Sequence, residues 1–242
     1  MFSVISDNLI KRYGKKEVFR DINFSYNGAY CIGIQGPNGS GKSTLLKCLS
    51  GLIRPSHGNL LWSFNEHNID LSMIRYYIGF SGPYIHLYQE LSVYENLAFI
   101  KSLRSDIAPD KQNITRKEKE QHNLTNKSKE LNYSEPSESR FSPLFRSLDT
   151  LTSFMEINHL LESPYGVLSS GQQQRVKLAV ALAASPPILM LDEPGTNLDT
   201  DGQECISKLI EFQKNAGGMI FLASNREEEL ALCDFRIKLS IN

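Results

Sequence analysis

The chain has 242 residues, a formal net charge of −1 and 40% hydrophobic residues, which is ordinary for a protein that buries one large core or two small ones. This near-neutral charge excludes a nucleic-acid binder that depends on a broad basic face. The four cysteines form no C-x-x-C pair, which argues against a zinc site and a disulfide framework and fits a reducing compartment. The sequence has no run of about eighteen apolar residues and no secretory signal layout at its start, so we expect any membrane contact to come through a partner.

The first thirty residues lead to a glycine-rich loop. Residues 2–30 alternate loosely between apolar and polar positions, with turn signals at Tyr13-Gly14 and Asn27-Gly28, which predicts antiparallel strands. Tyr13 lies just upstream of the glycine-rich loop and is a candidate to stack on an adenine base. The alternative is an ordinary residue packed at the end of a strand.

The glycine-rich loop fills the P-loop pattern, in which a glycine and four further residues precede Gly-Lys-Ser/Thr. Its residues are Gly36, Pro37, Asn38, Gly39, Ser40, Gly41, Lys42, Ser43 and Thr44. The glycines allow turns in which successive N–H groups face phosphate oxygens. Lys42 is the candidate to reach the β- and γ-phosphates, and Ser43 the candidate ligand of Mg²⁺. A strand predicted over residues 30–34 and a helix predicted over 43–49 flank the loop, as an anion site at a helix N-terminus requires.

The middle of the chain predicts strands, helices and a polar insertion. Residues 55–59 predict a turn, residues 60–64 and 74–80 predict strands, and the Gly-Pro step at 82–83 predicts a loop. A helix is predicted from Ser92, its N-cap, to Leu103, with Glu95 completing a capping box. Residues from about 104 to 143 are mostly polar and charged, which is typical of a solvated surface insertion. Residues 144–161 predict an amphipathic helix.

Residues 168–175, LSSGQQQR, form a second candidate phosphate site. Ser169 or Ser170 can cap a helix that continues to Ala183 and is ended by Pro186-Pro187. A helix whose first turn presents serine and glycine can bind an anion. The alternative is a serine N-cap with no ligand.

Two acids follow a buried strand near the end of the chain. Residues 188–191 are continuously apolar, as in a parallel sheet, and precede Asp192 and Glu193. Ligands of open α/β sheets bind at the carboxyl ends of the strands, so this pair is expected beside the P-loop. Asp192 suits an outer ligand of Mg²⁺, and Glu193 suits a group that polarises an attacking water. The rest of the chain is predicted to form a turn over 196–199, a helix over 205–212, a buried strand over 219–223 and an edge strand over 235–241.

Together these motifs resemble the nucleotide-binding subunit of ABC transporters, over nearly the whole chain apart from the polar insertion. Residues 36–43 match Walker A, residues 188–193 match Walker B with its catalytic glutamate, and residues 168–172 match the LSGGQ signature with Ser170 in place of the first glycine. Residues 197–199 resemble the D-loop, and Tyr13 falls at the adenine-stacking aromatic. The resemblance implies an α/β P-loop NTPase fold with a mixed sheet core, an N-terminal antiparallel β subdomain and an α-helical signature subdomain.

The resemblance also implies an organisation and a mechanism. The chain would be one ATPase domain, with residues 1–91 and 186–242 as a RecA-like core and residues 92–185 as the helical part. Two subunits, identical or related, would pair head to tail so that each Mg-ATP lies between the P-loop of one and the signature of the other. The trans residues would be Ser169, Ser170, Gly171 and Gln172, with Asp199 in the D-loop. An integral membrane permease would contact residues 81–90 and the helix after them, which places the chain on the cytoplasmic face of a membrane, without nucleic acid.

Two positions depart from the family pattern. The glutamine that senses the γ-phosphate is replaced by Pro83, and the histidine after the strand over 219–223 is replaced by Ser224-Asn225, of which Asn225 can still donate a hydrogen bond. Losing one such donor costs roughly 100- to 1000-fold in rate. We therefore expect slow hydrolysis by the isolated subunit, with Glu193 and Lys42 as catalytic residues.

Other interpretations stay open within this resemblance. The chain length and residues 59–62 resemble the small ATPases similar to the haem-exporter subunit of cytochrome c maturation. An ATP-operated regulatory switch with little hydrolysis would explain Pro83 and Asn225. A soluble ABC protein of translation or DNA repair is disfavoured, because such proteins usually carry two ATPase modules or long coiled-coil arms, whereas this chain has one P-loop and no sustained heptads.

Overall fold

A computed structural model describes residues 1–105 and 147–240. Almost all of the predicted polar insertion, residues 106–143, lies outside this part of the chain, as do residues 144–146 of the predicted amphipathic helix. The strands are β1 (Phe2–Tyr13), β2 (Lys16–Asn27), β3 (Cys31–Gln35), β4 (His57–Phe64), β5 (His67–Ile69), β6 (Ile78–Ser81), β7 (Ile188–Asp192), β8 (Met219–Ser224) and β9 (Phe235–Lys238). The α-helices are α1 (Lys42–Leu49), α2 (Val93–Ser105), α3 (Leu148–Phe154), α4 (Ser170–Leu182), α5 (Thr200–Asn215) and α6 (Glu227–Leu230).

The strands form two sheets. An antiparallel sheet has the order β2-β1-β4-β5, and a parallel sheet has the order β6-β7-β8-β3-β9. The predicted α/β fold class with an antiparallel β part is confirmed. The core sheet was predicted to be mixed. In the described residues its five strands are all parallel, and the antiparallel strands form the other sheet. In the parallel sheet the P-loop strand β3 lies beside β8, and β8 lies beside β7, so the carboxyl ends of all three strands share one edge.

The parallel sheet separates two hydrophobic clusters. Successive side chains of a strand point to opposite faces, and β7 shows this alternation. Leu189 and Leu191 pack with helices α2 to α5, whereas Ile188 and Met190 pack with α1 and the antiparallel sheet. A strand that is buried on both faces needs apolar residues at every position, which explains the continuous apolar run in its sequence.

The antiparallel sheet is joined to α1 by a hydrogen bond in the core. The Trp62 side chain on β4 is 1% exposed, and its indole N–H donates to the carbonyl of Leu49, the last residue of α1, at 3.0 Å. A buried indole N–H without an acceptor would destabilise the fold, so this contact holds α1 against the sheet.

Several predicted boundaries were wrong. Residues 57–59, predicted as part of a turn, belong to β4, because His57 pairs with Ile10 and Asn59 with Asp7 of β1. The turn-like Gly58 has φ +85°, and a β-carbon there would overlap the Asn8 carbonyl, so the glycine serves an irregularity within the sheet.

The helix and strand ends also differ from the prediction in places. The amphipathic helix ends at Phe154, and Glu156 at φ 57° separates it from a short 3₁₀ helix over Asn158–Leu160. Residues 74–77 form a 3₁₀ helix before β6. The predicted capping box of α2 is confirmed, since the Glu95 N–H donates to the Ser92 hydroxyl at 3.1 Å and the Ser92 N–H to the Glu95 carboxylate at 2.8 Å.

The predicted edge position of the last strand is confirmed for β9, but the strand ends at Lys238, so residues 239–240 were wrongly predicted to continue it, and Ile241 lies outside the described residues. Among the helices in the described part of the chain, none is long and apolar enough to cross a membrane. The division at residues 92 and 185 into a core and a helical part stays a prediction.

Candidate active site

The P-loop connects β3 to α1, and close contacts explain two of its glycines. Gly41 has φ +99°, and a β-carbon there would lie 2.6 Å from Cγ1 of Val18 on β2. A β-carbon on Gly36 would lie 2.5 Å from the Ser40 hydroxyl. Gly39 has φ +84° with open space around it. The loop can therefore keep its turn only with glycine at Gly36 and Gly41, whereas Gly39 is needed for its backbone conformation alone.

Lys42 is the first residue of α1 and connects the P-loop to the acids after β7. Its side chain is 6% exposed, and the ammonium donates to the carbonyls of Gly36 at 2.8 Å and Pro37 at 3.4 Å. It also lies 3.3 Å from Oε1 of Glu193. The structure thus brings together the lysine and the glutamate that the sequence predicts as catalytic, with Ser43 and Thr44 following in the first turn of α1.

The two acids at the end of β7 have different environments. Asp192 is 1% exposed, and neither of its oxygens has a hydrogen-bond partner among the described residues. Burial raises the pKa of Asp192, and the nearby Ser43 hydroxyl and Lys42 ammonium partly oppose this shift. A buried carboxylate with unsatisfied oxygens beside a serine hydroxyl fits a hard cation such as Mg²⁺. Glu193 has φ 51°, and its N–H donates to the carbonyl of Ala223 at 2.8 Å, so β8 fixes the backbone of this residue.

The loop after β6 passes beside Asp192 without a side-chain amide. Pro83 is exposed, and a β-carbon on Gly82 would lie 2.9 Å from Cβ of Asp192. The ring of Tyr84 lies under the Lys47 ammonium of α1, 3.1 Å from the ring centroid. This loop therefore approaches the acid through its backbone and packs on α1 through a cation–π contact that the sequence does not predict.

The loop after β8 reaches the P-loop through Asn225. This side chain is exposed, and its amide Nδ2 donates to Oδ1 of Asn38 at 3.3 Å. Ser224 is buried, and its hydroxyl accepts from the Arg226 N–H at 3.0 Å. Of the two residues at the usual histidine position, Asn225 is the one placed beside the phosphate-binding loop.

Tyr13 lies at the end of β1, and its side chain is 54% exposed. The Lys11 ammonium lies 4.9 Å from the centroid of the ring. The contact between Val18 and Gly41 places the β1–β2 hairpin against the P-loop. The role of Tyr13 in adenine stacking stays a prediction.

The signature residues form the first turn of α4. Ser169 is the N-cap, because its hydroxyl accepts from the Gln172 N–H at 3.3 Å while Oε1 of Gln172 accepts from the Ser169 N–H at 3.0 Å. Ser170 is exposed. A β-carbon on Gly171 would lie 2.8 Å from the carbonyl oxygen of Asn197, so the helix start packs closely on the turn after β7.

These signature residues line a surface groove with Asn197, Leu198 and Asp199. None of the P-loop residues, all of which the structure describes, lines this groove. The Asp199 carboxylate caps α5 by accepting from the Gly202 N–H at 2.9 Å and lies 3.2 Å from the Arg175 guanidinium. These two partners lower the pKa of Asp199. One chain therefore presents the P-loop and the signature as two separate surfaces.

Three side chains that the sequence analysis missed hold the segment after Glu193. The Gln174 side-chain amide donates to the Pro194 carbonyl and the Arg226 guanidinium to the Gly195 carbonyl, both at 2.9 Å. The Glu229 carboxylate lies against the α-carbon of Gly195, where any β-carbon would overlap it. Gln174 could have been found because it lies in the signature run. Glu229 could not, because its helix has only four residues, too few to show an apolar period.

The buried Glu229 gives a pH-dependent prediction. Its pKa is raised because burial disfavours the charged carboxylate, with Ser224 and Arg226 opposing the shift. A raised folded-state pKa gives stability that is complete below the unfolded-state pKa and is lost as the pH rises through the folded-state value. The variant Glu229→Gln stays neutral, so its free energy of unfolding relative to the wild type is expected to rise as the pH increases above about 4.3, the usual pKa of glutamic acid. Urea unfolding across this range measures the difference.

Glu228→Gln is the matched control for this experiment, because the Glu228 side chain is 76% exposed. Its stability curve is expected to run parallel to that of the wild type. If the Glu229→Gln curve is also parallel, the buried carboxyl group does not titrate with folding and the prediction is wrong.

Comparison with known proteins supports this description. The family model described as "ABC transporter" matches residues 19–196. The lipopolysaccharide export system ATP-binding protein LptB of Escherichia coli strain K12 is 28% identical over 239 residues, which cover 97% of this chain and 85% of LptB. The cytochrome c biogenesis ATP-binding export protein CcmA of Paramagnetospirillum magneticum is 29% identical over 236 residues, which cover 95% of this chain and 94% of CcmA.

Solved structures show the same fold. The dimeric structure of MJ0796, an ABC transporter cassette, has a TM-score of 0.73 at 23% identity and covers 98% of this chain and 94% of its own. The structure of MJ0796 in a post-hydrolysis state with ADP and Pi has a TM-score of 0.71 at 22% identity, with coverage of 99% and 96%. With the family model matching most of the sequence, the chain belongs to the ABC transporter family, as an ATP-binding subunit and ATPase.

Proposed function

We propose that this chain binds Mg-ATP on its P-loop, pairs with a second ATPase subunit around the nucleotide, and hydrolyses it to drive an integral membrane permease. The observation that carries the proposal is the arrangement at the ends of β3 and β7. The Lys42 ammonium lies 3.3 Å from Glu193, and Asp192 lies next to Glu193 with both carboxylate oxygens buried and unsatisfied within the described chain. The side chains proposed as the phosphate-binding cation, the base and the metal ligand therefore lie close together at one edge of the sheet, which supports these roles.

Each residue has a role in this proposal. Lys42 binds the γ-phosphate, and Glu193 orients and polarises the attacking water. Ser43 and Asp192 would hold Mg²⁺, which neutralises phosphate charge when bound. Asn225 would donate a hydrogen bond to the phosphate from beside Asn38. The remaining nucleotide contacts would come from Tyr13, Gly36, Pro37, Asn38, Gly39, Ser40, Gly41 and Thr44.

A second subunit is needed because the signature groove lies apart from the P-loop within one chain. In a head-to-tail pair the N-terminus of α4, with Ser169, Ser170 and Gly171, would face the phosphates bound by the partner. The positive end of the helix dipole favours this contact with an anion. Gln172 would support it indirectly, since its side chain closes the capping box. Asp199 would hold the adjoining turn at the same interface.

The membrane partner is inferred from the family and the relatives. LptB and CcmA are named as ATP-binding proteins of export systems, and the sequence alignment with each of them covers most of this chain. We infer that the loop over residues 81–90 and the helix α2 contact the permease, which would place the ATPase on the cytoplasmic face of the membrane.

A negative charge introduced into the signature by substitution tests the proposal. Ser170→Glu places a carboxylate at the start of α4, where it would repel the phosphates of an ATP bound by the partner. We expect it to abolish the dimer that forms with Mg-ATP and to reduce hydrolysis at least tenfold, while the affinity of the monomer for ATP stays unchanged. Light scattering measures the dimer, a phosphate-release assay measures hydrolysis, and Ser170→Ala is the control that should keep both. Unchanged dimerisation of Ser170→Glu would refute the trans role of the signature.

A second candidate function follows from the loops after β6 and β8. Pro83 offers no amide, and Asn225 cannot carry the positive charge of a histidine. These residues favour an ATP-operated switch in which dimerisation matters more than turnover. ATP-dependent dimers of the wild type with no measurable phosphate release would support this alternative over the transport motor.

A further inference from the structure

Two cysteines that are distant in sequence lie side by side in the structure. Sγ of Cys31 and Sγ of Cys233 are 3.4 Å apart, although the two residues are 202 positions apart in the sequence. Cys31 is the first residue of β3, and Cys233 follows α6. A disulfide requires sulfurs about 2.0 Å apart, so small side-chain rotations would have to bring these atoms about 1.4 Å closer.

The backbone around the pair is fixed by hydrogen bonds. The Cys31 N–H donates to the Asp234 carboxylate, and the Asp234 N–H donates to the Cys31 carbonyl, both at 2.8 Å. The same carboxylate lies 2.6 Å from the Lys214 ammonium. A β-carbon on Gly33 would lie 3.1 Å from Sγ of Cys233, so the glycine leaves room for this thiol. The two sulfurs are therefore held as neighbours in the folded protein.

The two thiols are not equivalent. Cys31 is fully buried, and the pKa of its thiol is raised well above the usual value by the hydrogen bond to Cys233 and by burial. Cys233 is half-buried, and its pKa is lowered because the Cys31 S–H stabilises the thiolate, with a further contribution from Arg236. A partly exposed thiol with a lowered pKa is the more nucleophilic partner, and the protonated thiol beside it can complete a disulfide.

The other two cysteines provide an internal comparison. Cys48 is buried, and burial raises its pKa to about 11. Cys205 is buried with a raised pKa, and its Sγ lies 3.8 Å from the thioether sulfur of Met155. Within the described residues neither Cys48 nor Cys205 has a hydrogen bond to another thiol, and neither has a lowered pKa. They therefore lack both features that distinguish Cys31 and Cys233.

We propose that Cys31 and Cys233 form a redox-active thiol pair that low-molecular-weight disulfides oxidise to an intramolecular disulfide. The Cys233 thiolate attacks one sulfur of the oxidant, which forms a mixed disulfide and releases one thiolate. Cys31 then loses its proton and attacks the Cys233 sulfur, which forms the Cys31–Cys233 bond and releases the second thiolate. The released thiolates take up the two protons, so two protein thiols are oxidised and one small disulfide is reduced.

This bond would join the start of the P-loop strand to the turn between α6 and β9. A crosslink across such a long loop restricts the unfolded chain, and we expect a rise in Tm of about 5 to 10 °C. Treatment with dithiothreitol should reverse it.

The test uses the whole protein and oxidised glutathione. After incubation and acid quenching, mass spectrometry is expected to show the loss of two hydrogens, one crosslinked Cys31–Cys233 peptide, and free thiols at Cys48 and Cys205. Cys31→Ala should stop at a glutathione adduct on Cys233, and Cys233→Ser should remain unmodified. The wild-type measurement stands by itself if a variant fails to fold.

The matched control is Cys205→Ala, which should form the disulfide as the wild type does. The proposal is overturned if the folded wild type keeps four free thiols, if its glutathione adduct persists on Cys233, or if Cys48 or Cys205 is oxidised first. These readouts do not depend on ATP, so a failure here would leave the proposed ATPase function intact, and the reverse also holds.

Discussion

Replacing Glu193 with glutamine is expected to lower ATP hydrolysis by about 100- to 10,000-fold, the contribution of a general base. Glutamine keeps the size of the side chain but cannot accept the proton of the attacking water. It also removes the ion pair with Lys42, whose ammonium lies 3.3 Å from Oε1 of Glu193. ATP binding should be retained, because the P-loop and its lysine are unchanged.

The same variant should accumulate as an ATP-bound dimer. If hydrolysis is what removes the nucleotide bridge between the subunits, a subunit that binds ATP without cleaving it stays paired. Phosphate release and light scattering with Mg-ATP measure the two effects in one sample. Glu204→Gln is the control, since the Glu204 side chain is 65% exposed and pairs with Lys208 one turn further along the same helix.

Two outcomes would contradict this prediction. Equal hydrolysis by the wild type and Glu193→Gln would show that another group polarises the water. Equal dimerisation of both with no hydrolysis by either would favour the ATP-operated switch, with Pro83 and Asn225 as the residues that limit turnover.

Replacing Lys42 with alanine should instead abolish tight nucleotide binding. Its ammonium is almost fully buried and is held by two carbonyl groups of the P-loop as well as by Glu193. In the proposed complex this buried ammonium pairs with the bound phosphate. Removing one partner of such a hydrogen-bonded charge pair costs about 2 to 5 kcal/mol, which corresponds to roughly 30- to 5000-fold in Kd. Isothermal titration with a non-hydrolysable ATP analogue and Mg²⁺ measures the loss.

Lys47→Ala is the matched control for this variant, because Lys47 lies on the same helix but its ammonium packs on the ring of Tyr84. It should change Kd by less than about threefold, since it makes no proposed phosphate contact. Thermal melting without nucleotide checks that both variants are folded. If Lys42→Ala binds the analogue as tightly as the wild type, Lys42 is not the phosphate ligand.

The sequence is most informative where one local pattern determines the structure. The P-loop could be predicted because Gly36 and Gly41 occupy positions where a side chain would collide, so the pattern reflects a local steric requirement. The burial of β7 could be predicted because a strand covered on both faces is apolar throughout. The capping residues of α2 and α4 could be predicted because each cap is satisfied within four residues.

Contacts between distant segments could not be predicted in the same way. Gly195 and Glu229 meet because β7 and β8 are neighbours in the sheet, and no local pattern in either segment reports this. The turn predicted at residues 55–59 was wrong for residues 57–59, because pairing with β1 outweighs the local preference of Gly58. The separation of the signature from the P-loop also depends on the whole fold, whereas the individual roles of the site residues stay predictions until they are measured.

Trp62 provides an intrinsic fluorescence probe of folding. It is the only tryptophan in the sequence, it is 1% exposed, and its indole N–H is bonded to the last residue of α1. Emission excited selectively in tryptophan therefore comes from one site, where the antiparallel sheet, α1 and the parallel sheet meet. A red shift on denaturation would report the opening of that junction without any dye or label, in the same cuvette that measures the stability of each variant.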